Sequence, residues 1–156
     1  MKVFIVEDHP AVRQGIVETI NREAALCICG EAEDVQPALA AIETSQPDLV
    51  LADIQLKSSN GLDLIRALHE RFPCLPVIAM TMFDPVRYER QARAAGAVAF
   101  VVKQEGADKM LEIILLEPMQ AEFLVKPIVM APVGEFKRSD RSPNIRVILC
   151  SYFCVS

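Results

Sequence analysis

No apolar run in this sequence approaches the roughly 20 residues that a helix needs to cross a bilayer. The opening run Val3-Phe4-Ile5-Val6 meets Glu7-Asp8 at once, and is too short for a secretory leader with its cleavage site. No membrane association and a cytoplasmic location are therefore expected. Low-complexity segments and internal sequence repeats are absent. The five cysteines, at 27, 29, 74, 150 and 154, are odd in number and irregular in spacing, which argues against a disulfide framework. Cys27-Ile28-Cys29 has one intervening residue, which suits neither a redox CxxC nor a zinc knuckle. Its thiols are expected to act as small buried apolar groups. Positive charge is scarce where a nucleic-acid reader would need it. Residues 1–117 carry 11 Lys and Arg against 18 Asp and Glu, a net −7, while residues 118–156 carry 5 against 3, a net +2. Such an acidic body is a poor match for a phosphate backbone.

What is present is a rhythm. The chain has 156 residues, enough for one domain, and 52% of them are hydrophobic, enough for a core. Apolar runs alternate with amphipathic stretches five times. The runs are Val3–Val6, Leu26–Gly30, Leu49–Ala52, Val77–Met80 and Val98–Val102. Between them Val12, Ile16 and Ile20, then Val35, Leu39 and Ile42, then Leu62, Ile65, Leu68 and Phe72 recur at helical spacing. A fourth helix is expected from Pro85 to Gly96, and a short fifth from Asp108 to Glu117, stopped by Pro118. Repeated strand–helix units imply an α/β, doubly wound, five-stranded parallel sheet with helices on both faces. After Glu117 the rhythm ends. Residues 118–156 hold four of the ten prolines, and Phe123–Val125 and Ile145–Leu149 could be strands. This segment is expected to be an atypical, poorly ordered tail to a domain spanning residues 1–117.

Four of the five strands end in a reactive polar residue: Glu7 and Asp8, then Asp53, Thr81 and Lys103. In an open parallel sheet the carboxyl ends of the strands line the ligand crevice, so these scattered residues should converge. Each alone is commonplace as a turn, cap or surface residue; the ordered set is not. Three crowded carboxylates need a cation, and oxygen ligands favour a hard one such as Mg2+. A carboxylate beside that cation can attack a phosphoryl group. The ammonium of Lys103 would offset charge on the phosphoryl oxygens, and the Thr81 hydroxyl could donate to one of them.

The set resembles the receiver domain of two-component response regulators. The matching segments are Val6-Glu7-Asp8-His9-Pro10, Asp48–Asp53, Asn60–Leu64, Met80-Thr81 and Phe100–Lys103, and Val12–Gly15 is most similar to the nitrate-response and quorum-sensing branch of helix-turn-helix regulators. The resemblance implies a flavodoxin-like sheet of order 2-1-3-4-5. It implies that Asp53 is the phosphoacceptor, and that Glu7, Asp8, Asp53 and the backbone carbonyl of Gln55 hold Mg2+. Thr81 and Phe100 would be the switch pair, and Lys103 the phosphate-pairing lysine. The implied phosphodonor is a sensor histidine kinase, and the implied output is a homodimer or partner contact through the fourth and fifth helices and fifth strand. Direct DNA binding is not expected, because residues 118–156 show neither the helices nor the basic charge of a reader. The chain would be either a stand-alone receiver or the derivative of a transcription regulator that has lost its DNA-binding output domain.

There are departures from the family pattern. Lys57 and Gln104 stand where many receivers have proline, and Met82 where a small residue is common; His9 and His69 read as turn and helix-surface residues. Two rival readings are weaker. A metal-dependent phosphatase with an aspartyl nucleophile wants a carboxylate two residues after it, and Gln55 there cannot transfer protons. A flavin module would want a phosphate-cradling loop where Glu7-Asp8-His9-Pro10 is acidic.

Overall fold

A computed structural model of the chain describes residues 1–82 and 85–121, with side chains described as far as residue 116. The strands are β1 (Lys2–Val6), β2 (Cys27–Ala32), β3 (Leu49–Asp53), β4 (Val77–Thr81) and β5 (Ala99–Val102). The helices are α1 (Pro10–Ile20), α2 (Val35–Ser45), α3 (Gly61–Arg71), α4 (Pro85–Ala95) and α5 (Ala107–Ala121), with a 3-10 turn at Lys103–Glu105. All strand pairs are parallel, and the sheet order is β2-β1-β3-β4-β5. Both the α/β class and the order agree with expectation.

The continuous apolar runs become intelligible once the pleat divides them. Phe4, Val6, Val50, Ala52, Val77 and Ala79 face one way and pack with α2, α3 and Ala92 and Ala95 of α4. Val3, Ile5, Leu49, Leu51, Ile78, Met80 and Val101 face the other way and meet Ile16 and Ile20 of α1 and Met110 and Ile114 of α5. Every residue of β3 and of β4 is buried, because helices cover both faces of these central strands.

Three expectations need correction. The second strand runs Cys27–Ala32, not Leu26–Gly30, and its register against β1 slips between Val3 and Phe4, where Cys29 is the extra residue. Gly30 lies where a Cβ would fall 2.4 Å from the Phe4 ring, so that ring occupies the space a side chain would take. On this edge strand Cys27 is exposed and Cys29 half-buried, so the thiols are not the buried apolar groups expected of them. Burial still raises the Cys29 thiol above its ordinary pKa. Finally, α5 does not stop before Pro118 but continues to Ala121. Proline deletes one backbone donor and costs a helix ~3 kcal/mol or more. Here the helix is already docked through Met110 and Ile114 before the proline is reached. The tail expectations beyond residue 121 lie outside the described residues. Among the described residues, no helix is long and apolar enough to cross a membrane.

Candidate functional site

The sheet delivers its strand-end residues to one place. Glu7 and Thr81 are fully buried, Asp53 is 3% exposed and Asp8 5%. The parallel register explains this: β1 and β4 flank β3, so the residues that follow Val6, Ala52 and Met80 share an edge. Lys103, at the end of β5, reaches across that edge, its side chain only 6% exposed. Its Nζ donates to Asp53 Oδ2 at 2.7 Å and also to Glu7 Oε2. The Gln55 N–H donates to Asp53 Oδ1 at 3.1 Å. Burial raises the Asp53 carboxyl above its ordinary value of 3.8; the Lys103 hydrogen bond and charge and the Gln55 N–H oppose this, and the neighbouring Glu7 reinforces it.

Thr81 follows Met80, the register partner of Asp53. By alternation it shares a face with Ala79, whose partner on β5 is Phe100. Phe100 is half-buried and packs against the core on that face. The Gln55 side chain donates to the Tyr88 hydroxyl of α4 at 3.1 Å.

Sequence reasoning assigned no role to four residues that the geometry places at this site. Arg13 donates to the Glu7 carbonyl at 2.6 Å and is itself held by Glu31 at 3.2 Å and Glu33 at 2.7 Å. Gly61, the first residue of α3, lies against the Asp53 backbone. Lys57 donates its backbone N–H to Asp8 Oδ2 at 2.8 Å. His9, read from sequence as a turn residue, is the N-cap of α1, and that position puts its Nδ1 2.8 Å from Asp8 Oδ1. Lys57 carried a signal in the sequence as a charge where the family pattern has proline, and His9, Arg13 and Gly61 lay within matching segments without a role of their own.

The acidic cluster fits a divalent cation. Ligand atoms of Glu7, Asp8, His9 and Asp53 all lie within 4.8 Å of one another. Asp8 Oδ1 is buried and, despite its closeness to His9, has no hydrogen-bond partner among the described residues. A buried acceptor left in this way costs free energy unless something satisfies it. Three carboxylates are buried here, and the one buried ammonium, Lys103, pairs with only two of them, Glu7 and Asp53, so negative charge is in excess.

This combination of fold and strand-end acid cluster defines a class, and comparison with known proteins agrees. Residues 3–115 match the model of the response regulator receiver domain. The chain is 36% identical over 103 residues to the DNA-binding transcriptional activator DevR/DosR of Mycobacterium tuberculosis, a match covering 66% of this chain and 48% of that protein. It is 31% identical over 105 residues to a protein-glutamate methylesterase/protein-glutamine glutaminase of Pyrococcus horikoshii, covering 66% of this chain and 28% of that one. Among solved structures, a LuxR-family two-component response regulator from Aurantimonas sp. superposes with a TM-score of 0.73 at 24% identity, covering 76% of this chain and 85% of that chain. The chain belongs to the response regulator receiver domain family. It spans about half the length of the curated regulators it matches, between 48% and 58% of the first three.

Proposed function

We propose that this receiver is a phosphorylation-operated switch in which Asp53 takes a phosphoryl group from a phosphohistidine on a partner sensor kinase. Glu7, Asp8, Asp53 and the backbone carbonyl of Gln55 would hold Mg2+. One observation carries the reading: a buried strand-end carboxylate, Asp53, is held 2.7 Å from the Lys103 ammonium and lies within a cluster of further acids. The bound cation would supply positive charge that offsets the phosphoryl oxygens.

The chain's own residues do the rest. An Asp53 oxygen forms a bond to phosphorus as the donor's phosphorus–nitrogen bond breaks. The nitrogen keeps the electron pair, and the ring leaves as neutral imidazole, its other nitrogen carrying a proton. Lys103 stabilises the transferred group electrostatically, and the Thr81 hydroxyl donates to one of its oxygens. The group adds about −1.5 to −2 charges. Thr81 and Phe100 are the element whose two arrangements that charge biases. The altered surface is that of α4, β5 and α5, where Val86 is 84% exposed and Leu115 and Leu116 are also open to solvent. That surface would form a homodimer or receive a partner. The phosphatase alternative gains nothing from the structure, since the Gln55 amide is engaged by Tyr88 and cannot serve as a general acid or base.

The test is incubation with acetyl phosphate and Mg2+. The expected product is an acid-stable, base-labile acyl phosphate that Asp53→Asn abolishes. Undiminished labelling of that variant would refute the assignment.

A further inference from the structure

The two lysines at the site divide its carboxylates between them. Lys103 is committed to Glu7 and Asp53. Asp8 is held instead by Lys57, from the loop between β3 and α3. The Lys57 N–H donates to Asp8 Oδ2 at 2.8 Å. Its Nζ donates to the Asp8 carbonyl at 3.3 Å and stands 3.8 Å from Oδ2. The side chains differ sharply in exposure, 63% for Lys57 against 4% for Asp8, so the ammonium reaches a buried acid from the solvent side. A proline at this position could make neither contact, having no N–H and no charge.

We propose that Lys57 sets the cation affinity of this site: its ammonium is a tethered monovalent cation that competes with a divalent one for Asp8, while its N–H fixes the Asp8 carboxylate. The proposal rests on the reading that Glu7, Asp8 and Asp53 hold a divalent cation. A dication against Asp8 is repelled by an ammonium that lies 3.8 Å from an oxygen of the same carboxylate. Because Lys57 is well exposed it can swing away, so it weakens binding rather than blocking it. The repulsion passes partly through water and is screened by salt. The receiver would then become charged with metal only at higher Mg2+ than the acidic cluster alone would need.

The experiment is Mg2+ titration of the full chain without any phosphodonor, followed through the amide resonances of Asp8 and Lys57. Lys57→Gln keeps the N–H and removes the charge. It should bind Mg2+ about three- to tenfold more tightly at low ionic strength, with the gap closing as salt rises. Lys57→Arg should behave as wild type. Lys57→Pro, which loses the N–H as well, should gain less than Lys57→Gln. Lys57→Met, also uncharged, repeats the test independently, and melting by circular dichroism verifies that each variant is folded. Equal or weaker binding by Lys57→Gln and Lys57→Met, with wild-type binding still abolished by Asp8→Asn, would overturn the role of Lys57 alone. Absence of Mg2+ binding in wild type and variants alike would overturn both this role and the metal reading.

Discussion

Gly61 stands so close to Asp53 that a Cβ placed on it would fall 1.8 Å from the Asp53 carbonyl oxygen and 2.8 Å from the Ile54 Cα. The neighbouring atoms are backbone and cannot yield as a side-chain tip would. The Gly61 N–H also donates to the Ile54 carbonyl at 2.9 Å, which ties the start of α3 to the residue after Asp53. Gly61→Ala should therefore destabilise the fold by at least the ~1–3 kcal/mol of ordinary overpacking, and it should slow phosphorylation by displacing Asp53. Gly15, in α1, offers the contrast, since a Cβ there meets nothing within 4 Å. Gly15→Ala should stabilise by ~0.5–1 kcal/mol through helix propensity. Urea midpoints of the two variants should move in opposite directions; a common direction would refute the packing argument.

Asp53→Asn should raise the melting temperature in metal-free buffer near neutral pH. Burial holds the Asp53 pKa above its ordinary 3.8, so the folded protein binds this proton more tightly than the unfolded chain. The linked penalty is absent below the ordinary value, grows as pH rises from there, and is complete above the raised folded pKa. The gap in melting temperature between Asp53→Asn and wild type should therefore narrow as pH falls from 7 toward 4. A gap that widens with acidification would reverse the sign of the argument. Comparison with the variant cancels groups common to both proteins, such as Asp34, whose pKa is lowered from 3.8 by the Ser59 hydroxyl and the Val35 N–H and which therefore opposes Asp53 only at the acid end.

The elements most legible in the sequence were those under the strongest burial constraint. Leu49–Ala52 and Val77–Met80 read as strands because both faces of β3 and β4 are covered. Ile16, Ile20, Leu39, Ile65 and Leu68 marked helix stripes because each enters a core. The edge strand β2 was less legible. Its half-exposed Cys-Ile-Cys-Gly run has no clean alternation, and a register slip lies within it. The strand-end cluster could be read because Glu7, Asp8, Asp53, Thr81 and Lys103 are polar side chains placed at the ends of apolar strands, where the fold buries them. What sequence reasoning missed acts otherwise. Gly61 contributes by the absence of a side chain, and Lys57 partly through its N–H. Arg13 grips a backbone carbonyl from the next helix. These roles depend on which backbone atoms lie nearby, which residue type alone does not give.

Lys103→Met should leave Glu7 and Asp53 facing each other without their shared ammonium. Removing one partner of a buried ion pair costs ~3–5 kcal/mol. A divalent cation would offset the same charge, so the deficit should shrink as Mg2+ is added, by more than Mg2+ stabilises wild type. Thermal melts across a Mg2+ series would measure this. Equal Mg2+ stabilisation of both proteins would show that Lys103 and the cation do not share these carboxylates.

A chain cut after Ala121 should label at Asp53 at the full-length rate. Every proposed site residue lies at or before Lys103, and among the described residues the core is built from side chains up to Ile114 of α5. A cut after Glu117 is less favourable, because α5 continues to Ala121 and would lose its last turn. Residues 122–156 include Phe123, Leu124, Val125, Ile148, Leu149 and Phe153, a set that promotes association wherever it meets solvent. The shortened chain should thus stay monomeric to higher concentration, as read by light scattering alongside the labelling rate. Its folding is checked by circular dichroism. A folded 1–121 chain that fails to take phosphate would place the later residues within the working domain.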